Sequence, residues 1–298
     1  MSTGRVLITG ANGFTGRHLV ARLAETSSAS LIGLPCDLTD PEAVLHVVER
    51  ADPDVVYHLA GIFGSESPEE IQRVNVGGFV SLRDALRRQA DRRGRPIRLL
   101  IIGSAAELGR AGAARLPVAE DACCQPETVY GRSKWEATRL ALAEPCEGPL
   151  EIVVARPFNL VGPGLSPRLA LGNFARQIAD VTLGRASAIR CGPLDSRRDY
   201  LDVRDAVEAY RLLVARGRPG QLYHVCAGRS YAMGDLLHRM LALAGIRPEI
   251  LSQPTDRVGD LADIYGNLGK IAAECGWAPT IALDRSLADL VAWAIAHG

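Results

Sequence analysis

Gly10, Gly13 and Gly16 constrain this chain most tightly. They stand at three-residue spacing after the β-branched run Val6-Leu7-Ile8-Thr9 and before a helical stripe of Leu19, Val20 and Leu23. The pattern reads as strand, tight turn and helix. Glycine lets a backbone turn sharply and approach a ligand closely. The helix that follows offers unpaired N–H groups and a partial positive charge, which suit a pyrophosphate. In this context the turn predicts dinucleotide binding, with Gly10, Asn12, Gly13, Phe14, Thr15 and Gly16 against the cofactor.

Apolar strand-like runs then alternate with amphipathic ones, as in a parallel sheet covered by helices on both faces. Strands are expected at Arg5–Thr9, Ser30–Leu34, Asp54–Ala60, Ile97–Gly103, Ile152–Arg156 and Leu222–Cys226. Helices are expected near Gly16–Glu25, Pro41–Arg50, Pro68–Arg92, Thr128–Ala143, Val203–Ala215 and Met233–Ala244, with a last one carrying Leu283, Leu287, Leu290, Val291 and Ile295. Cys36-Asp37-Leu38 follows the second strand almost at once, so the usual helix there is reduced to almost nothing. Beyond Asn159 the alternation loosens around Gly162-Pro163-Gly164, Ser166-Pro167 and Gly192-Pro193, as loops beside a ligand do. The reading is an α/β, Rossmann-type doubly wound sheet over residues 1–160, to which 199–228 return. A smaller interwoven substrate-binding region takes 161–198 and 229–298.

Thirty-four basic residues balance 34 acidic ones, so no basic field attracts nucleic acid or an anionic membrane. Phosphate recognition must then be local. Seven cysteines, an odd number without C-x-x-C spacing, argue for a reducing compartment. With no signal peptide and no bilayer-length apolar run, a cytoplasmic, soluble protein is expected. His58 lies in a strand and reads as structural, and the six histidines form no metal constellation and no Ser–His–Asp arrangement.

Tyr130-Gly131-Arg132-Ser133-Lys134 opens a helix, and residues four apart share a face. A free phenol has a pKa of about 10, and a neighbouring ammonium is expected to draw it toward neutrality. The pair then suits proton transfer in an alcohol–ketone interconversion. Ser104 follows Ile101-Ile102-Gly103 at the carboxyl end of a strand, where open α/β sheets bind ligands. Its hydroxyl could hydrogen-bond the oxygen that Tyr130 protonates.

Together Gly10/Gly13/Gly16, Asp37-Leu38, Leu59-Ala60-Gly61, Asn75, Ser104 and Tyr130/Lys134 resemble the extended short-chain dehydrogenase/reductases, in their NAD-dependent epimerase/dehydratase branch. The resemblance continues through Arg156-Pro157-Phe158-Asn159, Phe174-Ala175-Arg176-Gln177-Ile178-Ala179 and Arg198-Asp199-Tyr200 to Gly276-Trp277-Ala278-Pro279, nearly the whole chain. The middle segment is most similar to the GDP-4-keto-6-deoxy-D-mannose reductases. The resemblance implies that Asp37 and Leu38 flank the adenine, and that Leu59, Ala60, Gly61, Asn75, Tyr130, Lys134 and Pro157 line an NAD or NADP cofactor. Ser104, Ala105, Ala106, Asn159, Arg176, Arg198 and Arg257 would meet a nucleotide-diphosphate sugar. Arginine's fork matches phosphate oxygens. A homodimer through the helices at Pro68–Arg92 and Thr128–Ala143 is also implied. Cofactor preference stays open, because the second strand ends Gly33-Leu34-Pro35 with neither an acid for a ribose diol nor an arginine for a phosphate.

Members resembling 4,6-dehydratases carry an acid two places after the catalytic Ser/Thr, and those resembling fucose synthase a cysteine. Here Ser104 precedes Ala105 and Ala106, and a methyl group moves no protons. Glu107, one place further, could reach inward if the loop shifts. Leu108-Gly109 replaces the usual Tyr-Gly. Reduction of a 4-keto-6-deoxy sugar, with hydride to C4 and a proton from Tyr130, fits these residues best. A nucleotide-sugar 4-epimerase is the alternative, with a 4,6- or 5,6-dehydratase less favoured. A non-catalytic dinucleotide-binding module is the reading from a different class, disfavoured by the Tyr/Lys pair.

Overall fold

The computed structural model describes residues 4–26, 28–64, 67–112, 114–252 and 261–298. The first half runs β1 (Arg5–Thr9), α1 (Phe14–Thr26), β2 (Ser30–Gly33), α2 (Pro41–Ala51), β3 (Val55–His58), α3 (Pro68–Gln72), α4 (Gly78–Arg93), β4 (Ile97–Ile102), α5 (Gly109–Gly112), α6 (Val129–Leu142) and β5 (Leu150–Pro157). Next come β6 (Asn159–Val161), α7 (Ala170–Thr182), β7 (Ala188–Cys191), β8 (Arg197–Arg198), β9 (Tyr200–Asp202), α8 (Val203–Arg216) and β10 (Gln221–Val225). The chain ends with β11 (Tyr231–Ala232), α9 (Met233–Ala244), β12 (Glu249–Ser252), β13 (Asp263–Ile264), α10 (Gly269–Cys275) and α11 (Leu283–His297).

Six strands form one sheet in the order β10-β5-β4-β3-β1-β2, and every pairing in it is parallel. The strand order reverses between β1 and β3, which opens a crevice beyond their carboxyl ends. One face is covered around Leu19 and Leu23 of α1 and Val207, Tyr210 and Leu213 of α8. The other is covered around Val44 and Val48 of α2, Phe79, Leu82 and Leu86 of α4, and Ala137 and Ala141 of α6. Burial on both faces explains why Val153-Val154-Ala155 shows no polar alternation. A third apolar cluster joins α7, α9 and α11 through Phe174, Ile178, Leu236, Leu237, Leu287 and Leu290.

Helix starts obey local chemistry. The Asp40 side chain accepts from Glu42 and Ala43 N–H ahead of α2, with Pro41 at its first position. Thr128 caps α6 by accepting from Gly131 N–H at 2.9 Å. No helix intervenes between β2 and the turn at Asp37. The expected single helix at Pro68–Arg92 is instead α3, a π-helical turn at Arg73–Gly77, and α4. The interruption has a cause. Asn75 turns inward to accept from Ile62 N–H at 2.8 Å and to donate to Ile62 C=O at 3.0 Å, so it brackets the loop after β3. Such bulges recur at functional sites.

Candidate active site

The glycine turn closes as the spacing requires. Gly10 has φ +69°, and a Cβ there would lie 2.8 Å from Ala60 N; at Gly16 one would lie 2.1 Å from Gly10 O. A Cβ at Gly13 would meet only Gly10 O, at 3.2 Å, and open space beyond. That open mouth, at the start of α1, is the cradle a pyrophosphate needs, so these residues fit a dinucleotide. Asn12 is exposed, and Phe14 and Thr15 are partly buried beside it. Thr9 holds the adjoining strands together: its Oγ1 contacts His58 Nδ1 at 2.8 Å and accepts from Ala60 N–H at 3.1 Å. His58 is structural, and burial holds its pKa down at about 3. Asp37 is exposed and accepts from Thr39 N–H and Oγ1, both at 2.9 Å. Leu38 turns into the core, 3.0 Å from the Cβ position of Gly78.

Ser104 leaves the end of β4 in extended conformation and caps the short turn Ala105–Glu107. Tyr130 and Lys134 lie one turn apart at the start of α6, which sits on that turn so closely that a Cβ at Gly131 would be 2.4 Å from Ala106 O. The Ser104 hydroxyl interacts with the Tyr130 phenol. Lys134 Nζ lies 3.8 Å, and Asn75 Oδ1 3.1 Å, from the Cβ position of Gly61. Asn75 also donates to Ser133 Oγ at 2.9 Å, and Ser133 donates to Tyr130 C=O at 2.8 Å. The structure therefore brings together Ser104, Tyr130, Lys134, Gly61 and Asn75 from four separate stretches.

The expected electrostatics need correction. Burial pushes the Tyr130 phenol up to about 12, the Glu107 charge adds to this, and the Ser104 hydroxyl only partly opposes it. Burial also lowers the Lys134 ammonium to about 8, against the opposing pull of Glu107. Desolvation dominates here, so the phenol rests protonated.

Glu107 is held by other side chains and by the strand-end backbone. It is fully buried. Its Oε2 accepts from Arg156 Nε and Nη2 at 2.9 and 2.8 Å. Its Oε1 accepts from Ser104 N–H at 2.7 Å and Thr138 Oγ1 at 3.0 Å. Sequence reasoning missed this cluster, though signals existed: S-x-x-E at Ser104–Glu107 is a capping box, and a guanidinium inside an apolar strand demands a partner. Phe63 was missed too; its ring stands edge-on to Tyr130 with centroids 6.2 Å apart.

The proposed substrate residues are less gathered. Asn159 donates to Asp199 C=O at 3.0 Å. Asp199 is buried, its carboxylate accepts from Ala227, Gly228 and Gly266 N–H, and burial pushes its pKa up to about 6. Arg198 donates to the Arg197 and Leu261 carbonyls, and Arg176 lies along the outside of α7 with Asp180 and Asn173. Pro157 is buried at the end of β5. Arg257 lies outside the described residues. No helix among the described residues is long and apolar enough to cross a membrane.

A glycine turn at the switch point of a parallel sheet, facing a Ser–Tyr–Lys centre, defines a dinucleotide-dependent enzyme of the short-chain dehydrogenase/reductase type. The chain belongs to the NAD dependent epimerase/dehydratase family, whose sequence profile matches residues 6–226. It is 32% identical over 294 residues to the GDP-6-deoxy-D-mannose reductase of Pseudomonas aeruginosa, covering 96% of this chain and 95% of that one. It is 25% identical over 304 residues to the dTDP-6-deoxy-L-talose 4-dehydrogenase (NAD(P)(+)) of Kitasatospora kifunensis, covering 96% and 94%. The solved structure of RMD from Pseudomonas aeruginosa complexed with NADPH superposes with a TM-score of 0.91 at 30% identity, covering 99% of this chain and 100% of that one. The protein is an NAD(P)-dependent oxidoreductase.

Proposed function

We propose that the chain reduces the 4-keto group of a nucleoside-diphosphate 4-keto-6-deoxy sugar, with the GDP-mannose series as the first candidate. The observation that carries this reading is the make-up of the turn after Ser104. Ala105 and Ala106 offer methyl groups, and Glu107 is withdrawn into a buried ion pair, so Tyr130 and Lys134 supply the proton chemistry. A bound nicotinamide would supply the hydride. Tyr130 donates its proton to the C4 oxygen, Ser104 donates a hydrogen bond to the same oxygen, and Lys134 holds a positive charge beside the phenol. Asn159, Arg176, Arg198 and Arg257 are the candidates for the sugar and its diphosphate. The similarity to GDP-6-deoxy-D-mannose reductase along the whole chain supports the same substrate class. The reading includes a cytoplasmic homodimer joined across α4 and α6, which a lone protomer in a solution size measurement would contradict.

The test is stoichiometry. With GDP-4-keto-6-deoxymannose, purified protein is expected to oxidise one NADH or NADPH per sugar reduced. Interconversion of C4 epimers without net cofactor turnover would overturn the reductase reading in favour of an epimerase.

A further inference from the structure

Glu107 is used by neither the proton step nor the hydride step, yet it is the most heavily engaged carboxylate near them. Its two oxygens divide the work. One is held by the buried Arg156 fork, which also contacts Cys124 Sγ at 3.4 Å and lies 5.9 Å from the Trp135 ring centroid. The other joins two parts of the site, because Ser104 N–H belongs to the strand-end turn and Thr138 to α6. Thr138 lies one helical turn beyond Lys134 and two beyond Tyr130. The fit leaves little slack: a Cβ at Gly103 would be 2.4 Å from Glu107 Oε1 and 3.1 Å from Thr138 Oγ1.

We propose that Glu107 is a positioning residue: anchored by Arg156 and tethered to Thr138, it fixes the register between Ser104 and the helix of Tyr130 and Lys134, and it supplies a counter-charge to the buried Lys134 ammonium. The role rests on the reductase reading for its catalytic consequence but not for its electrostatic one. Lys134 meets no carboxylate at ion-pair distance among the described residues. The groups facing it are Glu107 from the strand-end turn, His58 from β3 and Asn75 from the π-turn. Tyr130 in turn is faced by Ser104, Glu107, Phe63 and, from α8, Tyr210. Glu107 is the carboxylate in this set. Removing its charge leaves Arg156 less compensated and favours loss of the proton from Lys134.

Two arms test this. Lys134 and Lys270 are the only lysines in the chain, so amine acylation followed by peptide mapping reads each separately in the cofactor-free protein. In Glu107→Gln the labelling midpoint of Lys134 is expected to fall by about half a pH unit or more, with Lys270 unmoved as internal control. An unmoved Lys134 midpoint overturns the electrostatic half. Thr138→Val is the milder variant, cutting only the tether. It is expected to lower kcat about tenfold through misplacement of Ser104, with KM for the keto sugar nucleotide and Kd for NADPH unchanged. Thr138→Ser should restore the rate. A lower Tm with unchanged kcat overturns the positioning half, since a purely structural contact would act that way. Absence of wild-type turnover would sink the reductase reading instead, while the labelling arm still decides the charge.

Discussion

The proposed reaction centre and the region proposed to hold the substrate are built on different plans. Ser104, Tyr130 and Lys134 project from the carboxyl edge of one continuous six-stranded sheet and the helix packed on it. Asn159, Arg176 and Arg198 come from β6, α7 and β8, outside that sheet, with β6 and β8 in separate two- and three-stranded sheets. A centre that moves a hydride and one proton needs fixed geometry, which a continuous sheet provides. Recognition of a sugar nucleotide needs a surface that differs between relatives, and short strands joined by loops can vary without disturbing the sheet.

The sharpest way to break this contrast is Tyr130→Phe. General acid catalysis contributes roughly 10²–10⁴-fold, so kcat is expected to fall by about that factor while NADPH binding, measured by fluorescence titration, stays near its wild-type value. A matched loss of cofactor affinity would mean the phenol serves binding instead. Replacing Arg156 with Met probes the frame beneath. Breaking a fully buried ion pair costs about 3–5 kcal/mol, which denaturant unfolding would report. A loss of less than about 1 kcal/mol would show that the pair is dispensable.

The pH dependence separates chemistry from stability. Lys134 titrates near 8 in the folded chain against an ordinary value of 10.5. Reduction needs the ammonium, so the rate is expected to fall as pH rises through about 8. Between pH 8 and about 10 the unfolded chain binds more protons at this residue than the folded one, so its contribution to stability rises with pH in the same window. Lys134→Met should remove that slope; an unchanged slope would assign it to other groups. The smallest effect is expected in the region proposed for the substrate. Arg198→Ala should raise KM for the sugar nucleotide about tenfold, the worth of one charge-assisted hydrogen bond, with kcat little changed. Arg176→Ala, at an exposed position paired with Asp180, should raise it by about threefold or less. The reverse ranking would move the diphosphate toward α7.

How much of this was legible in the residues follows the same contrast. The strand–turn–helix at Gly10–Gly16 and the Tyr130/Lys134 face are short-range patterns, and both fold as written. The π-turn at Asn75 was not legible as a break, because nothing in a helical stripe shows that one side chain will bracket a loop thirteen residues away. The direction of the Tyr130 shift was misjudged because a sequence shows the lysine four residues on but not the burial that raises the phenol. Glu107 was visible as a candidate but its partner was not, since Arg156 lies 49 residues on. The small strands β6 to β9 and β11 to β13 are too short for periodicity to register.

The central claim is that one proton donor pair, without a second shuttle, completes the reaction. Turnover in D₂O with NADPH and GDP-4-keto-6-deoxymannose tests it directly, by mass and NMR analysis of the sugar product. The account predicts no solvent deuterium on C3 or C5 beyond that of an enzyme-free control, with the new hydrogen at C4 drawn from the cofactor. Enzyme-dependent deuterium at C3 or C5 would contradict it.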